Sequence, residues 1–219
     1  MFEQDKGSLL YTSLKREMAQ RVGIGYQVYP FSLETDLDQV LEQIEILNQE
    51  SGITGIIVQK PWTKTWLNYQ TQVKGREEVT KKEFNDWWEQ LINQISPEKD
   101  VDGLHPSTLD LIKQNKWQEQ GRVLPATARA VQQIIQFWTE HDPNKKFELS
   151  AQKVLIINRS NLLGKPLFHL FKHQNVDVEM IGRKGFNQKT EQPQKLKKFD
   201  VIIAATGRKK LITEDMVKE

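Results

Sequence analysis

Twice along this chain, two short apolar runs of strand length are joined by a helical period, and a polar stretch separates the two occurrences. In the first, Ile24 to Phe31 alternates as a strand does. Leu37, Val40, Leu41, Ile44 and Leu47 then recur at helical spacing, and Ile53 to Gln59 forms a second short run. In the second, Lys153 to Asn158 and Val176 to Ile181 flank a predicted helix over 164–173, and 199–206 supplies a further strand. Strands alternating with helices favour parallel pairing, because the helix is the crossover that returns the chain to the same direction. The pattern predicts an α/β protein of two lobes with a cleft between them, residues 1–121 and 122–219. The second lobe carries fewer strands than a doubly wound sheet needs and is expected to be incomplete at its C-terminal end. A chain of 219 residues is long enough for two small domains.

The remaining segments fill in this outline. Leu10, Leu14, Met18 and Val22 predict an amphipathic helix over 8–22 with Ser8 as its N-cap. Residues 62–79 hold aromatic and polar residues without a period and read as an inserted loop. Thr80 and Glu83 form a capping box ahead of Phe84, Trp87, Leu91 and Ile95. A turn or two is expected over 108–113. Thr127 is expected to cap a helix with Val131, Ile134, Ile135 and Trp138 on its buried face. Residues 141–152 read as a polar linker, and a further helix is expected to begin at Ile212.

Charge and composition narrow the function classes. Thirty-one basic and 29 acidic residues leave a net charge of +2, which gives no whole-chain attraction to nucleic acid or membrane. With no cysteine, disulfides, thiolate nucleophiles and cysteine metal sites are excluded, which suits a reducing cytoplasm. The N-terminus has no apolar signal core, and no apolar run approaches the roughly 20 residues of a spanning helix. His169 and His173 stand i, i+4 on a predicted helix but lack a third ligand, so no metal site is expected. The six tryptophans are assigned to packing rather than to base stacking.

Several short constellations carry possible chemistry. Tyr11 and Lys15 share a helix face, which puts a phenol beside an amine that burial could turn into a proton carrier. The pair alone fits an exposed lysine beside a half-buried tyrosine better, since such pairs are common on helix surfaces. Gln59 ends an apolar strand just before Lys60-Pro61, and ligands gather at the carboxyl ends of strands in α/β sheets. Asp100 and Asp102 sit two apart in Pro97-Glu98-Lys99-Asp100-Val101-Asp102-Gly103. Either could make a local turn or accept two parallel N–H bonds from an aminopyrimidine edge. Arg159-Ser160-x-x-x-Gly164 follows a strand and opens a helix, directing backbone N–H groups at an anion. Arg183-Lys184 follows the next strand, where arginine can receive a 2′-phosphate.

Four runs in this order resemble the bifunctional methylenetetrahydrofolate dehydrogenase/cyclohydrolase family. They are Ser8-x-x-Tyr11-x-x-x-Lys15, Gly55-Ile56-Ile57-Val58-Gln59-Lys60-Pro61, Asp100-Val101-Asp102-Gly103 and Asn158-Arg159-Ser160-Asn161-Leu162-Leu163-Gly164-Lys165-Pro166. The resemblance covers nearly the whole chain and implies a folate-binding lobe followed by a Rossmann-like lobe for NADP, with NAD as the alternative. It implies oxidation of 5,10-methylenetetrahydrofolate and hydrolysis of the methenyl product to 10-formyltetrahydrofolate, in one-carbon metabolism and purine biosynthesis, by a cytoplasmic homodimer. Lys15 would be the catalytic lysine, Tyr11 would contact the pterin, Gln59 would tune Lys15, and Asp102 would anchor the pterin amino edge. Pro61 would line the folate site. Asn158, Arg159, Ser160, Gly164 and Pro166 would cradle the cofactor phosphates, with Arg183, Thr206 and Gly207 at neighbouring strand ends.

The chain also departs from the family pattern. Asn158 stands where a glycine is usual, Lys60 and Trp62 stand for leucines around Pro61, and Pro125-Ala126-Thr127-Ala128 replaces Pro-Cys-Thr-Pro. The family's usual leading helix and strand, and the strands and glycine-rich loop that follow, have no counterpart here, so truncation at both ends is expected. A non-catalytic folate- or nucleotide-binding remnant, or an assembly partner of the same fold, is the second reading.

Overall fold

Val154-Leu155-Ile156-Ile157 is apolar at every position, and the fold uses it as a strand covered on both faces. In the computed structural model, which describes residues 1–141, 147–190 and 195–218, β1 (Lys153–Ile157) is the centre of a three-stranded parallel sheet. Its neighbours are β2 (Asp177–Ile181) and β3 (Val201–Ala204), in the order β2-β1-β3. Val154 and Ile156 pack beneath Leu167, Leu170 and Phe171 of α7 (Gly164–His173). Ile112 of α5 (Pro106–Lys113) and Ala128 of α6 (Ala126–His141) close that layer. Leu155 and Ile157 face the opposite layer with Ile181, Leu196, Phe199 and Phe186, the last from α8 (Arg183–Thr190).

Contacts divide the chain into two compact units, Met1–Val101 and Asp102–Glu219. The segment 102–121 contributes Ile112 and Trp117 to the core that α7 covers. Ile134 and Trp138, expected on the buried face of α6, are exposed, while Val131 and Ile135 pack partly against the core. Residues 142–146 of the expected linker lie outside the described residues, and Leu149–Ala151 forms a 3₁₀ turn. The helix expected from Ile212 is a single 3₁₀ turn at Glu214–Met216.

Helices dominate the first unit: α1 (Lys6–Arg21), α2 (Leu37–Gln49), α3 (Thr63–Gln72) and α4 (Lys81–Gln94). The strands expected over 24–31 and 53–59 are extended chain that makes single parallel bridges, Phe2 with Phe31 and Ile56 with Asp100. Their partners touch at one point rather than along a ladder. The inserted loop expected over 62–79 contains α3, which buries Tyr69 and packs the buried Trp66 ring against Phe84 and Trp87. An aromatic cluster, rather than a clean apolar period, orders that helix. The capping box forms as expected: Glu83 N donates to Thr80 Oγ1, and Thr80 N donates to a Glu83 carboxylate oxygen.

Two expectations for α1 are corrected. Asp5, not Ser8, is the N-cap: its carboxylate accepts from Ser8 N at 2.7 Å. The stripe Leu10, Leu14, Met18 and Val22 is exposed. The buried positions are Gly7, Ser8, Thr12 and Ala19, small residues that let the helix backbone approach the rest of the unit closely.

Candidate functional site

Ser8, Thr12, Lys15 and Ala19 recur at i, i+4, i+7 and i+11, so Lys15 projects from the packed face of α1 rather than from its exposed flank. That placement brings its ammonium to the end of the 53–59 segment. Lys15 Nζ donates to Gln59 Oε1 at 3.1 Å, a contact between residues 44 apart in sequence. Tyr11, one turn earlier, lies at the margin of this face and is 54% exposed, leaving its ring free to meet a flat ligand. Pro61 is buried beside the site. Ser8 Oγ is buried without a partner among the described residues, an unspent hydroxyl on the Lys15 face. Its signal was its spacing of seven residues from Lys15.

Lys60 behaves differently from Lys15. Its ammonium lies over the rings of Phe84 and Trp88, 5.0 and 4.9 Å from their centroids. Withdrawal from water lowers its pKa, with Glu89 opposing the shift. The lysine that replaces an expected leucine stays exposed as a residue and lays its charge on aromatic faces.

The Asp-Val-Asp-Gly run is anchored by a residue the motif reading passed over. Lys99 Nζ donates to the carbonyls of Leu47, Asn48 and Glu50 at 2.7–2.9 Å, satisfying the C-terminal end of α2. Asp100 is buried, and its backbone bridges to Ile56. Asp102, half-buried, opens the second unit. Gly103 has φ +69°, and a Cβ there would stand 2.6 Å from Val123 O, so this corner of the loop requires glycine.

In the second unit the loop 158–163 leaves β1 beside the end of β3, where connections run off to opposite sides of the central strand. Ligands of open α/β sheets bind at such a point. Asn158 clasps the two strand ends: its Nδ2 donates to Ala205 O at 2.6 Å, and its Oδ1 accepts from Ser160 N at 2.7 Å. One N–H of the cradle is thus already engaged. Ser160 Oγ accepts from Leu163 N at 3.2 Å, and Gly164 starts α7 so close to the loop that a Cβ would meet Asn158 O at 2.0 Å. Pro166 is buried in the first turn of α7, serving packing.

Arg159 extends along Gly182, with one guanidinium nitrogen 3.4 Å from Met180 O, and remains exposed. Thr206 and Gly207 are exposed at the end of β3, and Thr206 Oγ1 accepts from Arg208 N. Arg183 opens α8, but its side chain lies outside the described residues. Lys165 N and Leu167 N are already bonded to Ser160 O and Leu163 O, and Pro166 has no N–H, so the exposed Arg159 guanidinium and the close-packed backbone at Gly164 are the features suited to a dinucleotide's phosphates. No cluster of three metal-ligating side chains occurs among the described residues. No helix among them is long and apolar enough to cross a membrane.

Comparison with known proteins matches both halves of the chain to one family. A family model described as the catalytic domain of tetrahydrofolate dehydrogenase/cyclohydrolase matches residues 1–75, and its NAD(P)-binding domain matches residues 125–219. The chain is 31% identical over 216 residues to the Bifunctional protein FolD of Lactobacillus acidophilus, covering 98% of this chain and 64% of that protein. It is 29% identical over 217 residues to the protein of the same name from Bacillus thuringiensis, covering 63% of it. The chain thus spans somewhat under two thirds of the length of these relatives. Its fold superposes on the bifunctional methylenetetrahydrofolate dehydrogenase/cyclohydrolase of Campylobacter jejuni with a TM-score of 0.76 at 22% identity, covering all of this chain and 65% of that one. The Trypanosoma brucei enzyme, solved with NADP cofactor and inhibitor, superposes with a TM-score of 0.75 at 19% identity, over 99% of this chain and 63% of that one.

Proposed function

Because the chain belongs to the tetrahydrofolate dehydrogenase/cyclohydrolase family, we propose that it oxidises 5,10-methylenetetrahydrofolate to the 5,10-methenyl cation. Water then opens that cation to 10-formyltetrahydrofolate. The functional division runs between 121 and 122, with folate handled by residues 1–121 and the dinucleotide by 122–219. NADP, when bound, supplies the hydride acceptor. Arg159, Gly164, Thr206 and Gly207 would hold it, with Arg183 as the second candidate for the 2′-phosphate. The protein works in the cytoplasm as a homodimer, as the family resemblance implies.

The chain's own residues carry the proton chemistry. As water becomes the formyl oxygen it loses both its protons: one reaches the ring nitrogen released on opening, and the other leaves to solvent, discharging the cation. The Lys15 amine takes the proton that water loses on bonding to the methenyl carbon and passes a proton to the departing ring nitrogen, while the carbinol hydroxyl's proton goes to solvent. Gln59 Oε1 holds Nζ in one direction without adding a charge that would pin its proton. Tyr11 stacks on the pterin, Pro61 lines its edge, and Asp102 accepts from the pterin amino group and ring N–H in a fork. The observation that carries this reading is the Lys15–Gln59 contact, which joins two distant motifs at one point.

The test is direct turnover by the purified chain, following methylenetetrahydrofolate oxidation with NADP and methenyltetrahydrofolate hydrolysis as separate steps. The reading expects both. A folded chain that binds folate and performs neither supports the second reading, a binding protein without turnover. That reading draws on the Asn158 carboxamide, which occupies Ser160 N.

A further inference from the structure

We infer that Asp5 is a positioning residue: its one buried carboxylate ties the helix of Tyr11 and Lys15 to the chain that leaves Gln59, and so sets the Lys15–Gln59 contact. Asp5 is 1% exposed. One oxygen accepts from Ser8 N at 2.7 Å and caps α1. The other accepts from Trp62 N at 3.2 Å and Thr65 Oγ1 at 2.8 Å, residues 57 and 60 positions away. Trp62 is the N-cap position of α3, which has no side-chain cap of its own, and Thr65 lies in its first turn. A single carboxylate therefore stands at the start of two helices, where both macrodipoles favour negative charge. Three donors offset the cost of burying it.

The geometry gives this clamp leverage on the site. Lys15 lies ten residues beyond Asp5, about 15 Å along α1. The chain from 59 to 65 runs counter to the helix and meets it twice, at Lys15 through Gln59 and at Asp5 through Trp62 and Thr65. Only Lys60 and Pro61 separate Gln59 from Trp62, so a shift at Trp62 is passed almost directly to Gln59. Capping alone needs one oxygen, and serine would do it. The second oxygen is what links the elements. The consequence for turnover rests on Lys15 being the proton carrier proposed above, but the positioning itself does not.

Asp5→Ser keeps a cap for Ser8 N and is too short to hold Trp62 N and Thr65 Oγ1 together. The test is the NOE between the Lys15 ε-methylene and the Gln59 side-chain amide, read by NMR in the ligand-free chain. It is expected to fall at least fivefold in Asp5→Ser, and by a smaller factor in Thr65→Val, which leaves the α1 cap untouched. Where wild-type hydrolysis of methenyltetrahydrofolate is measurable, kcat should fall about tenfold in Asp5→Ser while NADP affinity holds, and Asp5→Asn should recover part of the loss. An NOE of wild-type strength in folded Asp5→Ser overturns the inference whatever the activity. If Asp5→Ser does not fold, an undiminished NOE in Thr65→Val overturns it instead. Absence of turnover in the wild type with the NOE behaving as expected counts against the proposed function and leaves the positioning role standing.

Discussion

α1 and α7 are written in the same code and used in opposite ways. Each carries apolar residues at helical spacing, Leu10, Leu14 and Met18 on one and Leu167, Leu170 and Phe171 on the other. On α7 the stripe is buried against β1; on α1 it is exposed, and the small residues of the opposite face pack inward. Periodicity shows that a helix has an apolar face but does not show whether anything covers it. The two sites inherit this difference. The loop at 158–164 is built from backbone on a covered sheet, so a glycine and a strand–helix junction define it. The site on α1 is built from side chains that reach between elements, Lys15 to Gln59 and Asp5 to Trp62 and Thr65.

The contrast can be broken by substitution, beginning with the tightest backbone approach. Gly164→Ala places a methyl 2.0 Å from Asn158 O, so the loop must move. A loss of about 3 kcal/mol or more is expected in urea unfolding, since overpacking against backbone cannot be relieved by a rotamer change. An alanine tolerated at no cost would show that the loop is not held by that contact.

Packing comes next. Leu167→Ala should cost about 2–5 kcal/mol because Leu167 is fully buried, whereas Leu14→Ala should stay within about 0.5 kcal/mol. Equal losses in denaturant melts would mean that the α1 stripe is covered in solution.

Asn158→Gly sharpens the cofactor end. Freeing Ser160 N should tighten NADP binding, measured by calorimetry, by about threefold to tenfold, one ordinary hydrogen bond's worth. Weaker binding would mean that the clasp to Ala205 O shapes the cradle more than its carboxamide obstructs it.

The smallest effect is expected on α7 itself. Burial holds the His169 pKa below its ordinary value of 6.5, with Lys113, His173 and Lys165 adding to the shift. The folded state then binds this proton less readily than the unfolded chain. Its share of stability is complete above about pH 6.5, declines as the pH falls through the unfolded value, and levels off below the folded one. His169→Gln should flatten that part of the pH–stability curve. A slope unchanged by the substitution would assign it to the other histidines.

Much of this was legible beforehand, for physical reasons. β1 and α7 were readable because a strand buried on both faces must be apolar throughout, and the bounds of α7 matched the expected 164–173. α3 was not readable, because Trp66 is buried through ring contacts with Phe84 and Trp87 that carry no clean period. The extended segments of the first unit met their neighbours at single bridges, and no local signal in 24–31 or 53–59 reports how long a partner runs alongside. Lys15 and Gln59 could be paired only through the family resemblance, since 44 residues separate them. Asp5 and Lys99 were missed because a buried carboxylate and a carbonyl-capping lysine look in sequence like ordinary surface charge.

The most direct test removes the Lys15 amine and reads both ends of the molecule. In Lys15→Ala, methenyltetrahydrofolate hydrolysis should fall by about 10²-fold or more, the usual contribution of a positioned acid–base group. NADP affinity, which the proposed function assigns to the loop at 158–164, should stay within about twofold. A folded Lys15→Ala protein that hydrolyses methenyltetrahydrofolate at the wild-type rate would contradict the assignment of Lys15 and Gln59 as the reacting pair.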